Sequence, residues 1–425
     1  MLNPRSLEAV AAATFTPPFI RPLYDTYNFY RLPHTIVNVL TGVAGPTLPA
    51  DTLPNPARRY DTVVLIFIDG FGWRFFEHYA GRYPFLQHFA QHGVVSKLTA
   101  MFPSTTAAHI TCLHSGLAPA QSGVYEWHQY APSLNALIAP LMFSFAGERT
   151  RDTLTAAGLS PARIFPARTI HQRLAQAGVN SFVLQSHQYA HSAPSQHLTR
   201  GARVIAVKTL PEALVRLRKL LAAQDQPACY MLYLSQVDTI NHDYGPASDE
   251  SDAEIELLLV ALERRLLNEL AGRRRALLIV TADHGQAEIN PATTVYLNRD
   301  AGLRSLRRHL QVDRNGLPLA PAGSPRDLFL HVKPDMLDAA QRLLSRRLEG
   351  RALVLPTSTL IAQGFFGPAP ASDKFLARVG NLVILPFKGE SVYWYERGKF
   401  EQKFSGHHGG LTREEMEIPL LVCEV

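Results

Sequence analysis

The chain has 425 residues, 46% hydrophobic and 18% charged, with 42 Lys and Arg against 36 Asp and Glu for a net charge of +6. That balance excludes an intrinsically disordered chain, and no run approaches the roughly 20 uncharged apolar residues of a membrane-spanning helix. Three scattered cysteines, Cys112, Cys229 and Cys423, exclude a disulfide framework and a cysteine zinc knot, so a reduced cytoplasm is the expected compartment.

In chain order, residues 1–55 are rich in proline and aromatics and are expected to form an arm on a main body spanning 56–425. The apolar stretch AVAAATF near the start is short and follows Glu8, so no signal peptide is expected. TLPADTLPNPARRYD (47–61) reads as an exposed connection. VVLIFI (63–68), ended by Asp69-Gly70, is continuously apolar, as a strand buried on both faces would be. In MFPSTTAAHITCLHSG (101–116) a proline-led turn enters a short helix starting near Ser104 to Thr106. Residues 125–165 form a candidate covering segment.

SFVLQS (181–186) follows a helical stretch ending at Gly178, and CYMLYLSQ (229–236) follows a helix over 211–224. ALLIVTA (276–282) follows a long amphipathic helix with Ile255, Leu258, Leu259, Leu262, Leu266 and Leu270 on one face. From about 290 to 400 the rhythm changes to short strand-like pieces, DLFLHV (327–332), NLVILPF (381–387) and SVYWY (391–395), which read as an insertion. IPLLVCEV (418–425) is the last strand. Strands alternating with helices predict an α/β fold with a central, mostly parallel sheet flanked by helices, plus inserted cap-like segments. Two arginine clusters, Arg273, Arg274, Arg275 and Arg304, Arg307, Arg308, have no aromatics among them, so nucleic-acid binding gains no support.

Three of the strands end in polar residues. Asp69 follows the first, Asp238 with His242 four residues on follows the 229–236 strand, and Asp283-His284 follows the 276–282 strand. Each pattern alone is commonplace, since Asp-Gly is often only a turn. Together they point to one patch, because ligands of an open parallel sheet bind beyond the carboxyl ends of its strands. Mixed carboxylate and imidazole sets are metal ligands, imidazole favouring zinc, and this set is larger than one ion needs. Two divalent ions are therefore expected, zinc first, with manganese or magnesium as alternatives. Hydroxyls at the start of the helix near Thr106 are either N-caps or nucleophile candidates at a phosphate-binding helix terminus.

VVLIFIDGFGW (63–73), FPSTTAAHITCLHSG (102–116), SQVDTINHDYGP (235–246), TADHGQ (281–286) and GHHGGLTREEMEIPLL (406–421) stand in one order. With these motifs the chain resembles the alkaline phosphatase superfamily, in its type I phosphodiesterase/nucleotide pyrophosphatase branch. The resemblance implies a hydrolase of small-molecule phosphate esters, acting through a phospho-threonine intermediate. It implies that Asp69, Asp283 and His284 hold one ion, and that Asp238, His242 and His408 hold the other, with His407 competing for the last place. It implies that Thr106, ten positions before Gly116, is the nucleophile that also meets the metals, with Thr105 as the alternative. Relatives that cleave nucleotide diesters often carry an asparagine past this helix, whereas VYEWHQY (124–130) has none.

Diesters are expected to be preferred over monoesters, because Met101 to Tyr130 contains no Lys or Arg to meet a monoester's extra charge. Val124, Tyr125, Trp127 and Tyr130 are candidates to contact the second substituent, and Arg149 or Arg151 could still bring a cation from elsewhere.

Overall fold

The computed structural model describes residues 1–270, 275–313 and 315–425; Arg273 and Arg274 of the first arginine cluster lie outside the described residues. Seven strands form the central sheet: β1 Thr62–Ile68, β2 Gly93–Thr99, β3 Asn180–Ser186, β4 Arg203–Val207, β5 Ala228–Leu234, β6 Ala276–Thr281 and β7 Glu417–Glu424. They lie in the order β2-β7-β6-β1-β5-β3-β4. All pairings are parallel except those of β7, which runs antiparallel to both β2 and β6. The three central strands β6, β1 and β5 are buried at nearly every position, as a sheet covered on both faces requires. The expected α/β architecture is thus what the chain adopts.

Some boundaries differ from expectation. Ser235 and Gln236 leave the strand, and a helix runs from Gln236 to Tyr244, so Asp238 sits in the first turn of a helix. The long amphipathic helix is Asp249–Leu262, capped by Ser248, and continues as a π-helical turn over Glu263–Leu267. Of SVYWY only Val392–Tyr393 is strand, paired with Val295–Tyr296.

The N-terminal residues include helices Pro4–Ala12 and Leu32–Thr41 and run along β2. Asn3 N–H donates to Val95 O at 2.8 Å and Leu23 N–H to Thr99 Oγ1 at 2.9 Å, so this segment covers an edge that would otherwise be open. Within 290–400 a second, antiparallel sheet orders its strands as Ala322–Ser324, Asp327–Leu330, Leu382–Pro386 and Ala352–Pro356. A wholly buried bidentate ion pair, Arg326 to Glu415 at 2.9 Å on both arms, fastens this lobe to the segment just before β7. Residues 129–145 fold into a small three-stranded antiparallel sheet.

Candidate metal centre and cleft

The sheet order explains why distant residues meet. β6, β1 and β5 are neighbours, and Phe67 pairs with Thr281 while Ile68 pairs with Leu234. Continuing that register sets Asp69 level with Asp283. Asp238 stands one turn into the helix after β5, and His242, four residues on, shares its face. Gly70 is needed between them: its φ is +74°, and a Cβ there would lie 3.0 Å from the Asp238 Cα.

Two clusters of candidate ligand atoms result. Asp69, Asp283 and His284 lie within 4.8 Å of one another, and so do Asp238, His284 and His408. The second grouping differs from expectation by taking His284 in place of His242, because the His284 and His408 rings stack at 3.6 Å. His242 still belongs to the neighbourhood, with Nε2 3.5 Å from Asp238 Oδ1; His408 Nε2 is 3.6 Å from the same oxygen. His407 enters neither cluster, and its Nδ1 meets the backbone of His408 at 2.9 Å.

The donor chemistry fits divalent cations. All three histidines direct Nδ1 at a backbone carbonyl: His242 at Gly406 O (2.8 Å), His408 at Ser104 O (2.9 Å) and His284 at Gly285 O (3.1 Å). A carbonyl only accepts, so each ring carries its proton on Nδ1 and offers a bare Nε2, the arrangement that orients metal-binding histidines. Asp283 Oδ1 accepts N–H bonds from Gly70 and His284, leaving Oδ2 buried without a partner, 3.4 Å from His284 Nε2. Two lone-pair atoms facing each other in a dry interior call for a cation between them.

Thr106 opens the helix Thr106–Ser115, with Thr105 as its N-cap. Thr106 Oγ1 lies 3.2 Å from His284 Nε2 and 3.4 Å from Asp69 Oδ1. Thr105 Oγ1 is instead buried beside the Glu126 carboxyl and lines no part of the cleft. The first N–H groups of a helix lack intrahelical acceptors, so this end can hold phosphoryl oxygens. His109 of the same motif is structural: its Nε2 accepts from Met101 N–H at 2.9 Å and its Nδ1 donates to Thr105 O at 2.8 Å.

Residues that the motifs did not single out complete the centre. Tyr233 OH donates to Asp69 Oδ2, and Gln286 Nε2 donates to the backbone and carboxylate oxygens of Asp238. Ser104 Oγ donates to Gly410 O and accepts from Gly409 N–H, holding the His408 loop against the Thr106 helix. Tyr233 was visible only as one residue of an apolar strand, and Gln286 only as part of TADHGQ.

Burial, and after it the charges of Asp283 and Asp238, pushes the Asp69 carboxyl well up. Burial likewise pushes Asp283 up to about 7, and pushes His408 down to about 4 and His284 well down. Without cations the raised carboxyls stabilise the fold while protonated, and that contribution is lost as pH rises through their folded values. The lowered histidines act oppositely, but only below the ordinary imidazole value near 6.5. Above that value the lowered histidines no longer titrate, so the carboxyls of the centre should make cation-free protein lose thermal stability as pH rises from about 6.5 through about 7, the raised value of Asp283. The buried carboxyls Glu126 and Asp327 are also pushed up, and they act alike in both forms. The gap in Tm between zinc-loaded and chelated protein is therefore expected to widen over this interval, measured by thermal melts; a constant gap would show that these carboxyls are not raised in the cation-free protein.

Asp69, Thr106 and Asp238 form the floor of an open cleft of about 280 Å³. Of the four aromatic-segment residues expected to face substrate, only Trp127 lines it. Val124 and Tyr125 are core, Tyr125 packed edge-on against Phe329 and Phe375, and Tyr130 lies against His331. Arg151 does bring a cation into the cleft, over the Tyr189 ring at 5.5 Å, whereas Arg149 does not line it.

A family model described as type I phosphodiesterase / nucleotide pyrophosphatase matches residues 63–411. Human ectonucleotide pyrophosphatase/phosphodiesterase family member 1 is 24% identical over 250 residues, 56% of this chain and 25% of that protein. The venom phosphodiesterase of Macrovipera lebetinus is 25% identical over 243 residues, 54% of this chain and 26% of that protein. The matches thus span about a quarter of the length of these curated relatives. Among solved structures, murine ectonucleotide pyrophosphatase / phosphodiesterase 5 superposes with a TM-score of 0.61 at 18% identity, covering 84% of this chain and 87% of that one. Phosphonoacetate hydrolase from Sinorhizobium meliloti 1021, in complex with phosphonoacetate, gives 0.60 at 19% identity, covering 87% and 92%. At these identities the structural likeness speaks for the fold.

Proposed function

The chain belongs to the type I phosphodiesterase/nucleotide pyrophosphatase family, whose members are metal-dependent hydrolases, and from that premise we propose that it cleaves phosphodiesters or nucleotide pyrophosphates with Thr106 as the nucleophile. The observation that carries this reading is the Thr106 hydroxyl within 3.4 Å of Asp69 and 3.2 Å of His284 on the floor of the cleft.

Asp69, Asp283 and His284 would hold one cation, and Asp238, His242 and His408 the other, zinc being favoured by the three imidazoles. Bound there, divalent cations supply positive charge that lowers the pKa of the hydroxyl and offsets the charge of the phosphoryl oxygens. Thr106 Oγ attacks phosphorus as the bond to the ester oxygen opposite breaks, leaving a phospho-threonine. Water then attacks the same phosphorus, releasing the product and regenerating the hydroxyl. The N–H groups at the helix start orient the phosphoryl oxygens through both displacements. Tyr233 and Gln286 keep Asp69 and Asp238 in place.

We favour diesters over monoesters, since the cleft wall near the nucleophile offers Trp127, Ile110 and Leu141 to a second substituent. Arg151 is the observation in favour of a second reading, a monoesterase or phosphonate hydrolase, because it could meet an additional anion. Arg151 stands over the Tyr189 ring, which lies 6.1 Å from the ring of Tyr233. An arginine lining this cleft could equally meet a pyrophosphate's second phosphate. The test compares kcat/KM for bis-p-nitrophenyl phosphate, a p-nitrophenyl nucleotide diester and p-nitrophenyl phosphate at equal pH and metal. The diesters are expected to win by about tenfold or more; a clear monoester preference would overturn the diesterase reading and leave the threonine mechanism standing.

A further inference from the structure

Helix Thr106–Ser115 lays Thr106, Ile110 and His114 along the cleft at four-residue spacing. His114 therefore stands two turns, about 12 Å, beyond the nucleophile. Its ring is 4% exposed, and its Nδ1 lies 2.9 Å from Nε2 of His171, a wholly buried residue of helix Ile170–Gln176. Burial holds both rings neutral, pushing His114 down to about 4 and His171 well below its usual value.

One proton lies between those two nitrogens, and the remaining atoms decide which ring owns it. His171 Nδ1 is buried with no partner. If His114 Nδ1 donated, the proton of His171 would sit on that Nδ1, stranding a buried N–H without an acceptor. If His171 Nε2 donates instead, only a lone pair is stranded, which proteins tolerate more readily than an orphaned donor. In that arrangement His114 carries its own proton on Nε2, the one ring nitrogen left to face the cleft.

We propose that His114, held in the Nε2–H form by His171, is a specificity-determining donor for a carbonyl oxygen on the part of the substrate remote from the transferred phosphoryl group. This builds on the reading of Thr106 as nucleophile, which fixes which end of the cleft is remote. The adjoining helix Ala193–Leu198 packs against the Thr106 helix and adds Pro194 and Leu198 to the same cleft, an apolar surface for the ring or chain that bears such a carbonyl. His171 touches no substrate and is a positioning residue.

Two diesters with one leaving group test this: p-nitrophenyl thymidine 5′-phosphate, whose base has carbonyls, and methyl p-nitrophenyl phosphate, which has none. The ratio of their kcat/KM values is expected to fall about tenfold in His114→Phe, to recover in part in His114→Gln, which again presents an N–H, and to fall in His171→Phe. An unchanged ratio in a folded His114→Phe protein overturns the proposal. Imidazole nitrogen NMR on the full chain gives a readout independent of activity and of that variant: His114 is expected in the Nε2–H form, and the Nδ1–H form overturns the proposal. Should the wild type hydrolyse neither ester, the proposed function fails, and calorimetry with thymidine 5′-monophosphate decides the subsite. Wild-type binding about tenfold tighter than that of His114→Phe, with His114→Gln in between, supports it; equal affinity of wild type and His114→Phe, or no binding, overturns it.

Discussion

Replacing Thr106 by alanine is expected to lower kcat at least about 10³-fold while leaving cation content and fold intact. The hydroxyl is the reacting atom in the proposed mechanism, and no other side-chain hydroxyl of this helix start faces the carboxylates. Alanine is the strongest helix former, and the N-cap is Thr105, so the helix itself should persist. Thr106→Ser keeps a hydroxyl at the same place and should retain far more activity. Thr105→Ala removes a hydroxyl that lies beside Glu126 and outside the cleft, and should cost much less turnover. Steady-state kinetics with metal analysis of each variant provides the check. A dead Thr105→Ala beside an active Thr106→Ala would move the nucleophile by one residue.

Removal of divalent cations should abolish turnover, and zinc or manganese should restore it, with close to two equivalents bound at saturation. The facing lone pairs of Asp283 Oδ2 and His284 Nε2, and of Asp238 Oδ1 with His242 and His408 Nε2, motivate this expectation. His408→Ala should lower occupancy by about one equivalent and depress kcat by about 10²-fold or more. His407→Ala should be milder, because its Nδ1 is engaged with the neighbouring backbone and it joins neither cluster. Full activity in thoroughly chelated protein would refute the mechanism, and unaltered cation content in His408→Ala would refute that ligand.

The strands readable in the sequence were those buried on both faces, β1, β3, β5, β6 and β7, because such burial leaves an uninterrupted apolar run. β2 and β4 are the sheet's outermost strands and escaped: β4 is only five residues long, and β2 is interrupted by Ser96 and Lys97. Ser96 in β2 is buried under Asn3, which donates to it at 3.1 Å, and Lys97 is paired with Glu417 at 2.9 Å. Both partners are distant in sequence, so nothing local excuses a serine and a lysine in a strand. The same logic applies at the centre. Asp69, Asp283 and His284 were legible because they stand just past strand ends, and Asp238 because it lies in the first turn of the helix that follows one. Arg151 reaches the cleft by a tertiary fold-back of a loop, and the orientation of His408 depends on Ser104. Val124 and Tyr125 looked like cleft residues only because no local pattern distinguishes an aromatic facing substrate from one facing Phe329.

β7 is synthesised after the other six strands yet lies between β2 and β6. On the ribosome, therefore, β2 and β6 wait with adjacent unpaired edges until residues 417–424 emerge, and open strand edges are what neighbouring chains join. The nascent protein cannot fold domain-half by domain-half, and its output should be limited by how well those edges are shielded during translation. Stalled ribosome-bound chains ending near residue 410 are expected to be cleaved by protease within β2, where released full-length chains resist; equal resistance would mean that the sheet closes without its last strand.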